Sequence, residues 1–179
     1  MTAPSQERSA RFEAIFDQTY EPVLAYARRR APRDADDVVA ETFVIAWRRL
    51  EDMPNDALPW LYGVARRVLS EERRAGRRRV ALLQRMGRDA RPLREESAAD
   101  GPPVLDALAR LGSRDREAIL LVAWEGLSAA QAAKAMGCST VAFRVRLHRA
   151  RARLREQLEA GQPASPRGRS TVAEEVRSQ

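Results

Sequence analysis

The sequence predicts an all-α protein: two small helical domains joined by a flexible linker. Three observations carry that expectation. Apolar residues recur at helical spacing along most of the 179 residues, and no stretch alternates convincingly at strand period. Residues 80–103 (VALLQRMGRDARPLREESAADGPP) hold three prolines, two glycines and mixed charges with little periodicity, which is linker composition. The blocks on either side, 11–79 and 104–158, are each long enough for only a thin core of their own.

In the first block, Phe12, Ile15, Phe16 and Tyr20 share one helical face. Pro22 is expected in the first turn of a separate helix, Val23 to Arg30, because a proline there sacrifices no hydrogen bond. Asp34 opens the next helix, through Leu50, with Asp36 and Asp37 where carboxylates favour the helix dipole. A polar loop from Glu51 to Asp56 precedes a helix over Leu58–Arg79. The second block reads as Val104–Leu111, Ser113–Trp124, Ser128–Met136 and Thr140–Leu158. Ser128 and Gln131 form a capping box, Gly137 suits a helix C-terminus that needs positive φ, and Ser139 caps the last helix. Helix, short glycine turn, helix is the helix-turn-helix plan, with Ala133 small where two helices pack. The tail, 159–179, is polar and expected to be disordered.

Charge narrows the function classes. There are 32 basic residues (31 Arg and Lys134) against 25 acidic, a net charge of +7. Such a chain meets nucleic acid or an acidic surface, and guanidinium forks suit phosphate. One cysteine, Cys138, excludes a disulfide framework, and with one histidine, His148, no zinc site is expected. Cys138 is expected as a small packed residue rather than a redox sensor. No grouping of carboxylates or nucleophiles has catalytic spacing, so neither an enzyme nor a metal or cofactor is expected. No apolar run reaches the ~20 residues of a membrane span, and no leader-like stretch opens the chain; the expectation is a cytoplasmic protein without membrane insertion.

Three helical faces carry the functional expectation. On the last helix, Phe143, Leu147, Ala150 and Leu154 form a narrow apolar stripe, while Arg144, Val145, His148 and Arg149 lie opposite. From Arg144 to Arg155 there are six arginines and no acid, a one-signed face that fits a major-groove helix better than a merely solvated one. On helix 58–79, Leu61, Ala65, Val68 and Leu69 face one way. Arg66, Arg67, Arg73, Arg74, Arg77 and Arg78 crowd the other, with Trp60 at the edge. Basic side chains beside an aromatic ring can hold single-stranded nucleic acid, though Trp60 could equally be core. Helix 34–50 buries Val39, Phe43, Ala46 and Leu50 and exposes Asp37, Glu41, Val44 and Arg48. An acidic stripe on a basic protein suggests a protein partner; the alternative is an ordinary solvated face.

The segments DADDVVAETFVIAW (34–47), ALPWLYGVARRVLSEERR (57–74) and LDALARLGSRDREAILLVAWEGLSAAQAAKAMGCSTVAFRVRLHRARARL (105–154) resemble, in this order, regions 2.2, 2.3–2.4 and 4 of the bacterial sigma-70 family, extracytoplasmic-function (ECF) group. The resemblance implies a region 2 bundle over 11–79, a linker over 80–103 and a region 4 helix-turn-helix over 104–158. The implied partners are core RNA polymerase (β′ clamp helices and β flap), promoter DNA and an anti-sigma factor. It assigns clamp docking to Asp37, Glu41, Val44 and Arg48. Recognition and melting of the −10 element fall to Met53, Asn55, Asp56, Trp60, Arg66, Arg67, Arg73 and Arg74, with the loop 53–56 receiving a flipped base. The −35 element falls to Arg144, Val145, His148 and Arg149. Arg67 stands where the family usually has Asn, Val141-Ala142 where it has Gly-Thr, and Val145 where it has Ser, so promoter preference does not transfer from relatives. The competing expectation is a helix-turn-helix regulator that acts without polymerase; it leaves the acidic stripe and the Trp60 helix unused.

Overall fold

A computed structural model describes residues 4–86 and 102–161. Among these residues there are seven α-helices and no strand: α1 (Pro4–Arg30), α2 (Ala35–Arg48), α3 (Ala57–Arg85), α4 (Pro103–Arg110), α5 (Ser113–Ala123), α6 (Ala129–Met136) and α7 (Thr140–Gly161). A single 3-10 turn, Leu50–Asp52, joins α2 to the loop before α3.

The helices differ from expectation in two ways. Pro22 does not start a helix; it lies inside a continuous α1. An interior proline costs roughly 3 kcal/mol. Here Phe12, Ile15, Phe16 and Tyr20 before it, and Val23, Leu24, Tyr26 and Ala27 after it, all reach one core, and that shared burial outweighs the lost bond. The other difference is length. α3 runs to Arg85, six residues into the stretch expected as linker, and α7 runs three residues past Leu158 into the expected tail. Both extensions are rich in Ala, Leu, Gln, Glu and Arg, good helix formers that periodicity alone undervalues. The remainder of both stretches, 87–101 and 162–179, lies outside the described residues.

α1, α2 and α3 pack on one another. Their centre holds Val23, Tyr26, Val38, Ala46, Leu50 and Leu61, all fully buried. Aromatic rings close one end: Phe16 lies 4.7 Å from Phe43, and Phe12 sits edge-on to Trp47 at 5.2 Å. α7 lies across α4, α5 and α6, with Phe143 and Ala150 fully buried beneath it. The two blocks are not held apart. α6 packs along α3, and one buried apolar cluster runs through both halves.

Gly63 explains how closely α3 and α6 approach. A Cβ there would lie 3.2 Å from the Ala135 carbonyl oxygen of α6, and its nearest neighbours are all backbone atoms of Ala135. Glycine in a helix interior costs about 1 kcal/mol relative to alanine. The approach of α6 is what that cost permits.

Candidate functional site

The helix-turn-helix forms as its local chemistry dictates. The Ser128 hydroxyl accepts from the Gln131 amide at 3.3 Å, and Gln131 Oε1 accepts from the Ser128 amide at 3.0 Å, a complete capping box. Gly137 ends α6 with φ 65° and ψ 42°, the left-handed conformation that glycine adopts freely. Ala142 N–H then donates to Ser139 Oγ at 3.2 Å, starting α7. Cys138, between them, is exposed rather than packed, because the glycine turn carries it outward.

α7 presents the expected division of faces. Phe143, Leu147 and Ala150 are buried, and Leu154 packs against the core from its edge. Arg144, Val145, His148 and Arg149 are all exposed together. Val145 is 47% exposed, an apolar surface among guanidiniums that can meet a thymine methyl in the major groove. The periodicity did not reveal what fixes the roll of this helix. Asp115, buried on α5, accepts from Arg146 Nη1 at 3.2 Å and from Arg153 Nη1. Two arginines of α7 are thereby tied to one carboxylate, and an open cavity between them is lined by Ala142, Val145 and Arg149. Asp115→Asn is expected to lower the thermal stability of the second block by about 1 kcal/mol, allowing for the exposure of both arginines. A melting curve followed by circular dichroism measures it.

The face expected to serve the −10 element is only partly open. Arg67 and Arg74 are exposed. Arg73 Nη2 donates to the Arg30 carbonyl at 3.0 Å, where α1 ends. Arg66 donates from Nε to the Ala135 carbonyl (3.2 Å) and from Nη2 to the Met136 carbonyl (3.4 Å), the last carbonyls of α6. Asp56 accepts from Gln131 Nε2 at 3.0 Å. Trp60 is half-buried against the core with the Arg49 guanidinium 6.0 Å from its ring. Met53 corrects the expected loop: its side chain is buried in the core at 4% exposure, while Asn55 and Asp56 stay exposed. Methionine opens this loop as an apolar anchor beneath the 3-10 turn, and its carbonyl accepts from Arg11. A 3.6-residue period, applied to a loop, had no means of separating the anchor from the exposed residues.

α2 carries the acidic face. Asp37, Glu41, Val44 and Arg48 are all exposed on one side. Glu72 of α3 joins them. Its carboxyl is held above the usual carboxylate range by burial and by the charges of Asp34 and Asp37, so the patch spans two helices. Trp47, 39% exposed beside Val44, has the Arg8 guanidinium 4.9 Å from its ring. Apolar and acidic groups side by side suit a protein partner better than phosphate.

Residues 15–79 match the family described as Sigma-70 region 2, and residues 103–154 match that described as Sigma-70, region 4. The chain belongs to the sigma-70 family. It is an RNA polymerase sigma factor of the ECF group, which binds core polymerase and directs it to promoters. It is 35% identical over 142 residues to RNA polymerase sigma factor NccH of Alcaligenes xylosoxydans xylosoxydans, covering 72% of this chain and 75% of that protein. To ECF RNA polymerase sigma factor SigL of Mycobacterium tuberculosis it is 32% identical over 160 residues, covering 84% of this chain and 90% of SigL. Among solved structures it is similar to CnrH in complex with the cytosolic domain of CnrY (TM-score 0.59, 28% identity, 84% of this chain and 89% of that one). It is also similar to RpoE of Bartonella quintana in complex with the anti-sigma factor NepR (TM-score 0.57, 25% identity, 88% and 98%). The region 2 match falls within α1–α3 and the region 4 match within α4–α7. No helix among the described residues is long and apolar enough to cross a membrane, and no group of three or more His, Cys, Asp or Glu among them could hold a metal ion.

Proposed function

We propose that this sigma factor initiates transcription through three separate faces, in domains bounded at about 11–79 and 104–158. The α2 face with Asp37, Glu41, Val44 and Arg48 docks on the polymerase clamp. α3 and the loop before it engage and help melt the −10 element: Arg66, Arg67, Arg73 and Arg74 meet phosphate, Trp60 stacks on an unpaired base, and Asn55 and Asp56 line the base-receiving loop. α7 reads the −35 element through Arg144, Val145, His148 and Arg149. The protein acts by binding and not by catalysis, in the cytoplasm where polymerase works. The observation that carries this reading is the one-signed, exposed face of α7 on a capped helix-turn-helix, in the same chain as an acidic face unsuited to DNA.

Run-off transcription with core polymerase is the test. Addition of this chain should produce a defined transcript, whereas a regulator working without polymerase docking would bind DNA and initiate nothing. Asp37→Arg and Glu41→Arg should each weaken capture of core enzyme in a pull-down by about tenfold, or roughly 1.4 kcal/mol, with helicity unchanged. Undiminished capture would remove the docking role from α2.

The solved relatives CnrH and RpoE are bound by CnrY and by an anti-sigma factor, NepR, respectively. By that likeness, and with 25–28% identity over most of the chain, an anti-sigma factor restrains this protein as well.

A further inference from the structure

α7 carries six arginines between Arg144 and Arg155 with no acid among them, yet the fold does not leave all six equally available. At about 3.6 residues per turn, Arg146, Arg149 and Arg153 fall within roughly 60° of one another, with Val145 beside Arg149. Together with Ala142 and Val145 they line an open cavity of about 380 Å³, and Asp115 of α5 is its one acidic wall. Asp115 Oδ1 accepts from Arg146 Nη1 at 3.2 Å, and its Oδ2 accepts from Arg153 Nη1. The carboxylate side chain is only 12% exposed, whereas those of Arg146 and Arg153 are 37% and 59% exposed. Arg149, one turn from each, makes no ion pair among the described residues. A desolvated carboxylate left unpaired is costly, so Asp115 keeps both guanidiniums.

We propose that Asp115 is a specificity-determining residue: it withholds Arg146 and Arg153 from DNA phosphate, so that α7 reads bases without being a general polyanion binder. The proposal rests on the −35 reading above for which helix meets DNA, and on the Asp115 geometry alone for the withholding. Phosphate contacts carry no sequence information and add affinity on every site alike. A chain of net charge +7 meets far more random duplex than promoter, so the ratio of the two affinities decides where it sits. Neutralising two arginines internally lowers the affinity for random sequence. The same tie fixes the roll of α7, which keeps Val145 and Arg149 at the angle that base edges require. On the −35 element those base contacts set the register, so freed arginines would find phosphate there only by disturbing it.

Asp115→Asn tests this in the full chain, with circular dichroism as the check on folding. Fluorescence anisotropy gives its affinity for a random-sequence duplex and for a −35 duplex that the wild-type chain selects from a randomised pool. On random sequence the variant should bind about tenfold more tightly at low salt. Its slope of log affinity against log salt should steepen by about 1.8, or about 0.9 for each of two phosphates. Affinity for the −35 duplex should change less than about twofold, so the specificity ratio falls about tenfold. Adding Arg146→Ala and Arg153→Ala to Asp115→Asn should restore the parent's slope, which mere loss of a negative charge would not allow. Arg146→Ala/Arg153→Ala in the otherwise unchanged chain covers the case in which Asp115→Asn disturbs folding, and its slope should stay close to the parent's. A slope flattened by about two counterions in that double variant means that the arginines already hold phosphate, which overturns the withholding. For Asp115→Asn, an equal rise on both duplexes, or no change on either, overturns the specificity role. A wild-type chain that selects no duplex from the pool, with the slopes as expected, leaves the withholding standing and overturns the −35 reading.

Discussion

Phe143→Ala is expected to unfold region 4 while leaving region 2 folded. Phe143 is fully buried where α7 crosses the region 4 helices, and among the described residues only Tyr26 is a larger fully buried side chain. Truncating such a ring costs about 3–5 kcal/mol, the transfer term plus the cavity left behind. A domain of region 4's size has only a few kcal/mol in hand, on the order of 0.05–0.15 kcal/mol per residue, so the loss takes most of it. Denaturant unfolding followed at 222 nm should show an early transition that the parent lacks, and −35 binding should vanish. Capture of core polymerase through α2 should persist, because that face belongs to a different helix bundle. Val145→Ala, at a 47% exposed position on the same helix, is the control and should leave the unfolding midpoint in place. A wild-type unfolding curve for Phe143→Ala would mean that α7 is not anchored by its apolar stripe.

The range of each interaction decides whether it was legible in the sequence. The capping box at Ser128 and the glycine turn at Gly137 involve neighbours three or four residues apart, and both form as their residue types require. The buried stripes of α2 and α7 obey helical periodicity, so spacing alone places Phe43, Ala46, Phe143 and Ala150 correctly. Pro22 departs from expectation because a local rule meets a tertiary gain: residues on both sides of it reach the same core. The ion pairs of Arg30 with Glu117 and Glu125 have no local signature at all. The two acids lie 87 and 95 residues from Arg30, and charged residues on a helix read as solvated until a partner helix is known to cover them. Asp115 is invisible for the same reason, its arginines being 31 and 38 residues away. Spacing makes Arg66 available to DNA, whereas its hydrogen bonds to α6 are a property of how two folded blocks meet.

Two arginines of α7 should behave differently, one left exposed and one bound by Asp115, and this gives the second large effect. Arg149 is exposed beside Val145, on the half of the helix away from Leu147, Ala150 and Leu154. Arg149→Ala should cost about 1–3 kcal/mol and relax preference at one −35 base pair, as loss of a bidentate base contact does. Arg153 is bound to the Asp115 carboxylate, with its side chain 59% exposed. A guanidinium held by its own domain is poorly placed to neutralise phosphate. Arg153→Ala should therefore lower stability by about 0.2–1 kcal/mol and leave both base preference and salt dependence close to the parent's. Were it a phosphate contact instead, the slope of log affinity against log salt would flatten by about one counterion. Competition binding by holoenzyme across single-base −35 variants, at two salt concentrations, separates these outcomes. If Arg149→Ala weakens every −35 variant equally, α7 attracts DNA without reading it, and promoter choice must then come from the proposed −10 face of α3, part of which α6 covers.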